Sequence, residues 1–190
     1  AVAIVNPNRL DQETEHRTLA AVGVSFLLAV AVNRALREAG WWTADRPAPD
    51  LLSLLDLVAL GTVCDVMPLS GLNRALVAQG LKVMARRGNP GLAALADAAR
   101  LDQRPQAFHL GYVLGPRVNA GGRVGRADLG MRLLSTDDPA EAAAIAAELE
   151  RFNEDRRRIE GEVLAAATAE VEAGPLPPVL AVGGEGWHPG

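Results

Sequence analysis

The sequence predicts a mainly α-helical chain that is part of a larger α/β protein. Apolar residues recur at helical spacing through most of residues 18–172, and short strand-like runs occupy residues 1–5 and 179–182. The first of these runs begins without an initiator Met, and the glycine-rich last residues are typical of a turn that leads onward. We therefore expect an internal segment of a longer protein.

Composition excludes several classes of protein. The hydrophobic fraction of 49% is enough for a globular core, and the net charge of −4 excludes a uniformly basic nucleic-acid surface. The single cysteine, Cys64, cannot form an internal disulfide and fits a reducing cytoplasm, so we expect a cytoplasmic protein. The apolar run over residues 19–32 is too short to cross a bilayer, and we expect no membrane partner.

The predicted elements follow from periodicity and from glycine and proline positions. A helix apolar on nearly all faces is typical of a central helix, and the first predicted helix has this pattern. Residues 63–68 form either a short extended segment or a tight turn. In chain order we expect a strand tail at 1–5, helices at 18–39, 51–60, 72–87 and 91–100, and a linker at 101–105.

A long helix is predicted from about residue 138 to residue 172. Asp138 is a strong N-cap, Pro139 suits the first helical position, and Glu141 can reach back to the cap. About 34 residues give a length of about 50 Å. The apolar stripe lacks a sustained heptad, which favours a spacer between domains over a coiled coil. The strand-like run that follows, at residues 179–182, would open a further domain.

The most informative segment is residues 115–126, GPRVNAGGRVGR, which we expect to be a loop. Its glycines would let backbone N–H groups approach a ligand, and arginine fits phosphate oxygens. The segment is therefore either an anion site for a phosphate chain or a glycine-rich connector whose arginines pair with nearby carboxylates.

Two further places could carry chemistry. Asp65 follows a predicted buried helix, where it would either cap neighbouring backbone or bind a cation. Residues 183–190 contain four glycines beside His188 and form either a second anion-binding nest or a plain turn. No cluster of potential metal ligands accompanies Asp65 in the sequence.

Three motifs in order resemble the RecJ family of the DHH phosphoesterase superfamily. They are LGTVCDVMPL at residues 60–69, GPRVNAGGR at 115–123 and GWHPG at 186–190, and residues 19–26 also resemble the family. The resemblance implies a 5′→3′ single-stranded-DNA exonuclease with two lobes and two divalent ions, Mn²⁺ or Mg²⁺. Residues 1–100 would then be the C-terminal part of the parallel-sheet DHH lobe, 101–174 the connecting region with the Gly/Arg segment and long helix, and 175–190 the start of the DHH-associated lobe.

The resemblance also implies roles for individual residues. Asp65 matches the last aspartate that binds metal and serves catalysis. Arg117, Asn119 and Arg123 match the substrate segment, with Arg126 adjacent, and His188 matches a substrate-contacting histidine in the second lobe. Single-stranded DNA is the implied partner, and a single-strand-binding protein and a helicase are further partners that the family suggests in DNA repair and recombination.

The chain departs from the family pattern in what it lacks. The other metal-binding motifs have no counterpart within its 190 residues, so we expect the isolated chain to be inactive. Cys64 replaces a small residue, either as a packing substitution, which we favour, or as a thiol sensor. The alternatives are a DHH-family oligoribonuclease or nucleoside bisphosphate phosphatase and a non-catalytic DHH-fold DNA-binding scaffold.

Overall fold

The architecture is an assembly of packed helices. The structure is a computed structural model that describes residues 4–11, 13–124, 126–174 and 178–187, and within these ranges it contains no β-strand. The elements in chain order are α1 (Ala21–Glu38), a 3₁₀ turn (Leu51–Leu54), α2 (Leu55–Cys64), α3 (Gly71–Met84), α4 (Pro90–Ala98), α5 (Ala107–His109), a π-helix (Leu110–Leu114), α6 (Gly115–Val124), α7 (Leu129–Ser135) and α8 (Pro139–Glu172). The mainly helical class predicted from the sequence is confirmed.

Neither predicted strand is present among the described residues. Ile4 and Val5 are exposed and lie outside any strand, and residues 1–3 lie outside the described residues. Val179 and Val182 are also exposed, in a segment of bends and irregular backbone. A strand is stable only beside partner strands, and the described part of the chain offers none. The strand prediction at 179–182 is wrong for this chain by itself, and that at 1–5 is not supported by its described residues, Ile4 and Val5.

The turn after α2 resolves the alternatives for residues 63–68. Helix α2 continues through Cys64, and the amide of Asp65 donates to the carbonyl of Gly61 at 3.0 Å. Val66 then takes a left-handed φ of 56°, and the amide of Met67 returns to the carbonyl of Thr62 at 3.3 Å. The segment is a tight turn, and the extended alternative is wrong.

The core is built where α2, α4, the π-helix, α6 and α7 meet the first half of α8. Fully buried leucines from four of these elements, α4, the π-helix, α7 and α8, interdigitate there, and burying each such side chain contributes about 1.5–3 kcal/mol. A smaller apolar cluster joins α1 and α3 to the start of α2. The largest buried apolar side chains of the main core are Leu95, Leu110, Leu114, Leu129, Leu133 and Leu149.

Helix α1 is peripheral, not central as predicted. It packs against α2 along one face, and Gly23 is its one buried residue. Leu28, Val30 and Val32 are each 41–49% exposed. The apolar residues on the outer faces of α1 thus remain largely in solvent. No helix in the described ranges is long and apolar enough to cross a lipid bilayer.

Helix α8 confirms the predicted long helix. The Asp138 side chain accepts a hydrogen bond from the amide of Ala140 at 2.8 Å, and Pro139 occupies the first turn. Glu141 does not reach back to the cap; it accepts instead from Arg132 and from Thr136, each at 2.6 Å. The buried residues of α8 all lie between Ala142 and Asn153, so the second half extends away from the core.

Candidate anion-binding groove

The glycine- and arginine-rich segment is helical. Residues Gly115–Val124 form α6, which continues directly from the π-helix, so the loop predicted here is wrong. In a helix the backbone N–H groups beyond the first turn bond to the preceding turn, and they cannot form an anion-binding nest. Any anion bound by this segment must therefore be held by side chains.

Close packing explains the glycines of this segment. A Cβ at Gly115 would lie 2.5 Å from the Sγ of Cys64, and one at Gly121 would lie 2.9 Å from the core residue Leu149. Helix α6 can approach α2 and α8 only because these two positions lack side chains. Gly122, by contrast, faces open space.

Arg117 lies in the core between α6 and α8. Its side chain is only 8% exposed and forms a two-pronged ion pair with Glu150, in which the Nη2–Oε1 distance is 3.0 Å. Its Nη1 donates to the carbonyl of Val113 at 2.7 Å. Its guanidinium is thus occupied on three nitrogens, and this placement favours a structural role over the predicted phosphate contact.

A groove of about 220 Å³ opens on the face of α6 that carries Asn119 and Arg123. Asn119 and Arg123 are exposed and stand one helical turn apart, and Arg156 reaches the same groove from α8. Arg123 makes no ion pair with any residue that the structure describes. The other lining residues are Cys64, Gly111, Gly115 and Pro116. The groove therefore combines two guanidinium groups and one amide with no carboxylate in its lining, which suits a phosphate.

Arg156 is the groove residue that the sequence analysis missed. Its Nη1 pairs with Glu160 at 2.9 Å, while its buried Nε has no partner among the described residues. Asn153, one turn earlier and 1% exposed, likewise keeps an unpaired Nδ2. The run of three arginines at 156–158 was visible in the sequence, but only the helix phase shows which one faces the groove.

Asp65 lies beside the groove, immediately after Cys64. It is exposed, and its side chain caps no described backbone group, so the capping alternative is wrong. The described residues contain no group of three or more His, Cys, Asp or Glu side chains that could hold a metal ion. The described residues by themselves therefore do not fit a metal centre, and among them Asp65 could supply only one ligand of a larger set.

The environment of Cys64 favours packing over sensing. Its thiol contacts the Gly115 backbone and donates to the carbonyl of Leu110 at 3.5 Å. Burial, with a smaller contribution from Asp65, raises the pKa of the thiol. A thiol that remains protonated is a poor nucleophile and a poor redox sensor.

The remaining predicted residues lie outside the groove lining. Arg126 is exposed and pairs with Asp128 at 2.8 Å, and that hydrogen bond lowers the pKa of the Asp128 carboxyl. His188 lies outside the described residues. Residues 184–187 form a turn in which Gly186 has a φ of 79°, and the choice between nest and plain turn for residues 183–190 stays a prediction.

Proteins similar to this chain share one name. The chain is 42% identical over its full length to the single-stranded-DNA-specific exonuclease RecJ of Salmonella typhimurium and to that of Escherichia coli. It spans about a third, 34%, of the length of each of these relatives. The RecJ of Thermus thermophilus is 39% identical over 75% of the chain. No family model matches the chain.

Solved structures give the same result. A crystal structure of exonuclease RecJ bound to manganese superposes with a TM-score of 0.71 at 36% identity, covering 85% of this chain and 38% of that one. The Mg²⁺ complex of Thermus thermophilus RecJ gives a TM-score of 0.66 at 37% identity, covering 85% of this chain and 23% of that one. The relatives from Salmonella typhimurium and Escherichia coli are, by name, single-stranded-DNA-specific exonucleases. The chain belongs to the RecJ family, as a segment about one third as long as those two curated relatives.

Two adjacent glycines test whether the Gly/Arg segment is a helix. Gly122→Ala should stabilise the 190-residue chain by about 0.5–1 kcal/mol, because alanine favours a helix and open space surrounds the position. Gly121→Ala should destabilise it by about 1–3 kcal/mol through overpacking against Leu149. Chemical denaturation measures both, and a destabilising Gly122→Ala would contradict the helix.

Proposed function

We propose that the chain is the substrate-holding segment of a single-stranded-DNA exonuclease, and that its groove binds the phosphates of the DNA strand. The observation that carries this proposal is the convergence of Asn119 and Arg123 from α6 with Arg156 from α8 on one groove without a lining carboxylate. The name shared by the relatives, single-stranded-DNA-specific exonuclease RecJ, agrees with a phosphate-backbone ligand.

The groove residues act by charge and by donor geometry. The guanidinium of Arg123 is exposed and free of ion pairs within the described ranges, so a phosphate can bind it without displacing a carboxylate. Arg156 also lines the groove, and although its Nη1 pairs with Glu160 and its Nη2 donates to Asn153, its positive charge adds to the attraction for a phosphate. Asn119 adds a neutral amide donor to the same groove. These contacts hold the backbone and carry no base sequence information.

The whole enzyme needs more than this chain. The RecJ structures that resemble it are complexes with Mn²⁺ or Mg²⁺, and we propose Asp65 as one ligand of such a centre in the longer protein. The other ligands would come from polypeptide beyond these 190 residues. Exonuclease activity in DNA repair and recombination, in the cytoplasm and beside a single-strand-binding protein and a helicase, is the wider role that we propose for that protein.

A salt titration tests the phosphate contacts. In the full-length protein, Arg123→Ala and Arg156→Gln should each weaken binding of an oligo-dT strand. Each should also reduce the slope of log affinity against log salt by about 0.7, the contribution of one phosphate contact on a single strand. Fluorescence anisotropy at several salt concentrations measures both quantities.

Arg158→Gln is the matched control. Arg158 pairs with Glu162 at 2.9 Å, as Arg156 pairs with Glu160, on the same helix. Both variants lose one i,i+4 pair of similar small value, but Arg158 does not line the groove. The control should leave the slope unchanged. Equal slopes for Arg156→Gln, Arg123→Ala and the unaltered protein would overturn the groove as the phosphate site.

The isolated chain should be inactive. We expect no release of nucleotides from 5′-labelled single-stranded DNA by the purified 190-residue chain in Mn²⁺ or Mg²⁺, because its described residues hold no group of three potential ligands. The full-length protein, assayed in parallel, is the positive control. Metal-dependent hydrolysis by the isolated chain that disappears in Asp65→Ala would show that a complete centre forms within it.

A further inference from the structure

Two exposed aromatic rings stack on each other on the residues that flank Gly111, which lines the groove. Phe108 in α5 and Tyr112 in the π-helix are 60% and 71% exposed, and their ring centroids lie 5.1 Å apart at an interplanar angle of 26°. The chain has only seven aromatic residues, three Phe, one Tyr and three Trp. Leaving two of them paired in solvent forgoes the apolar burial that each ring would otherwise contribute.

The pair lies on the same continuous helical run as the groove residues. That run starts in α5, passes through the π-helix and ends in α6. Gly111, next to Tyr112 in sequence, lines the groove together with Asn119 and Arg123. From Phe108 to Arg123 the run covers about 22 Å at 1.5 Å per residue. Aromatic side chains therefore stand towards one end of this run and the exposed guanidinium of Arg123 towards the other.

The π-helix contributes to this arrangement. It is a rare, wider helical turn, and in proteins it occurs frequently at functional sites. Its inner side is held by the fully buried Leu110 and Leu114, and the carbonyl of Leu110 accepts from the Cys64 thiol. With these residues fixed in the core, Tyr112 is directed outward.

We propose that Phe108 and Tyr112 form a base-stacking platform for single-stranded DNA that continues the phosphate groove. The inference rests on the proposed function. A basic groove beside exposed aromatic rings is the combination by which proteins hold single strands without sequence preference. The groove arginines hold phosphates, and the rings take bases of the same strand on their faces.

Paired oligomers test the platform in the full-length protein. A dT oligomer and an abasic oligomer of equal length carry the same phosphates, but only the first has bases to stack. The double variant Phe108→Ala/Tyr112→Ala should weaken dT binding about tenfold or more and leave abasic binding unchanged. The salt slope should not change, since no phosphate contact is lost. Tyr112→Phe, which keeps the ring, should bind dT as the unaltered protein does.

The other outcomes overturn the inference and identify what replaces it. Equal weakening for both oligomers, with a lower melting temperature, would show that the rings pack against another part of the longer protein. Unchanged dT binding in the double variant, while Arg123→Ala still reduces the salt slope, would remove the platform and keep the groove. If neither change has an effect, the proposed function itself fails.

An exposed aromatic elsewhere provides the control. Trp41 is 48% exposed, and its ring faces the Arg46 guanidinium at 3.9 Å on the loop after α1. Trp41→Ala should leave the preference for dT over the abasic strand unchanged. A loss of that preference equal to the one in the double variant would show that any exposed ring has this effect, and would overturn the assignment of the platform to Phe108 and Tyr112.

Discussion

The ion pair between Arg117 and Glu150 fixes the geometry on which the groove depends. It joins α6 to the buried half of α8, and the same guanidinium also holds the Val113 carbonyl of the π-helix. Arg117 is buried and Glu150 is partly buried, and removing these charges from water costs desolvation energy that only good geometry and additional hydrogen bonds offset. The two-pronged pairing and the third hydrogen bond supply both. With the inner face of α6 held in this way, Asn119 and Arg123 are left on its outer face.

The helices could largely be predicted from the sequence, because periodicity and capping residues are local signals. The start of α8 at Pro139 follows directly from the Asp138 cap. The prediction of a loop for the Gly/Arg segment is wrong because glycine in a sequence usually indicates irregular backbone, whereas this segment is helical. Here Gly115 and Gly121 serve close packing against residues about 50 and 28 positions away in sequence, namely Cys64 and Leu149. No local pattern carries that information.

The roles of the arginines show the same limit. Arg117 and Arg126 pair with carboxylates, as in the connector interpretation, whereas Arg123 makes no ion pair among the described residues and its contact with an anion stays a prediction. The partner of Arg117 is 33 residues away on another helix. Arg156 could not be singled out from the sequence. Three consecutive arginines on a helix point in different directions, and only the structure shows which of them lines the groove. The sequence also predicts that α1 is central, because it is apolar on nearly all faces. In the structure, Leu28, Val30 and Val32 are exposed, and an apolar pattern by itself does not show which elements will cover it.

The central claim is that the Gly/Arg segment is a helix anchored by a buried ion pair, so that substrate can meet only its outer face. A double-mutant cycle on Arg117→Met and Glu150→Met tests this claim most directly, with the unfolding free energy of the 190-residue chain as the measured quantity. The account predicts that each single variant is strongly destabilised and that the two residues are coupled by about 1–3 kcal/mol. A coupling energy near zero would contradict it, because Arg117 would then be free to act on another partner.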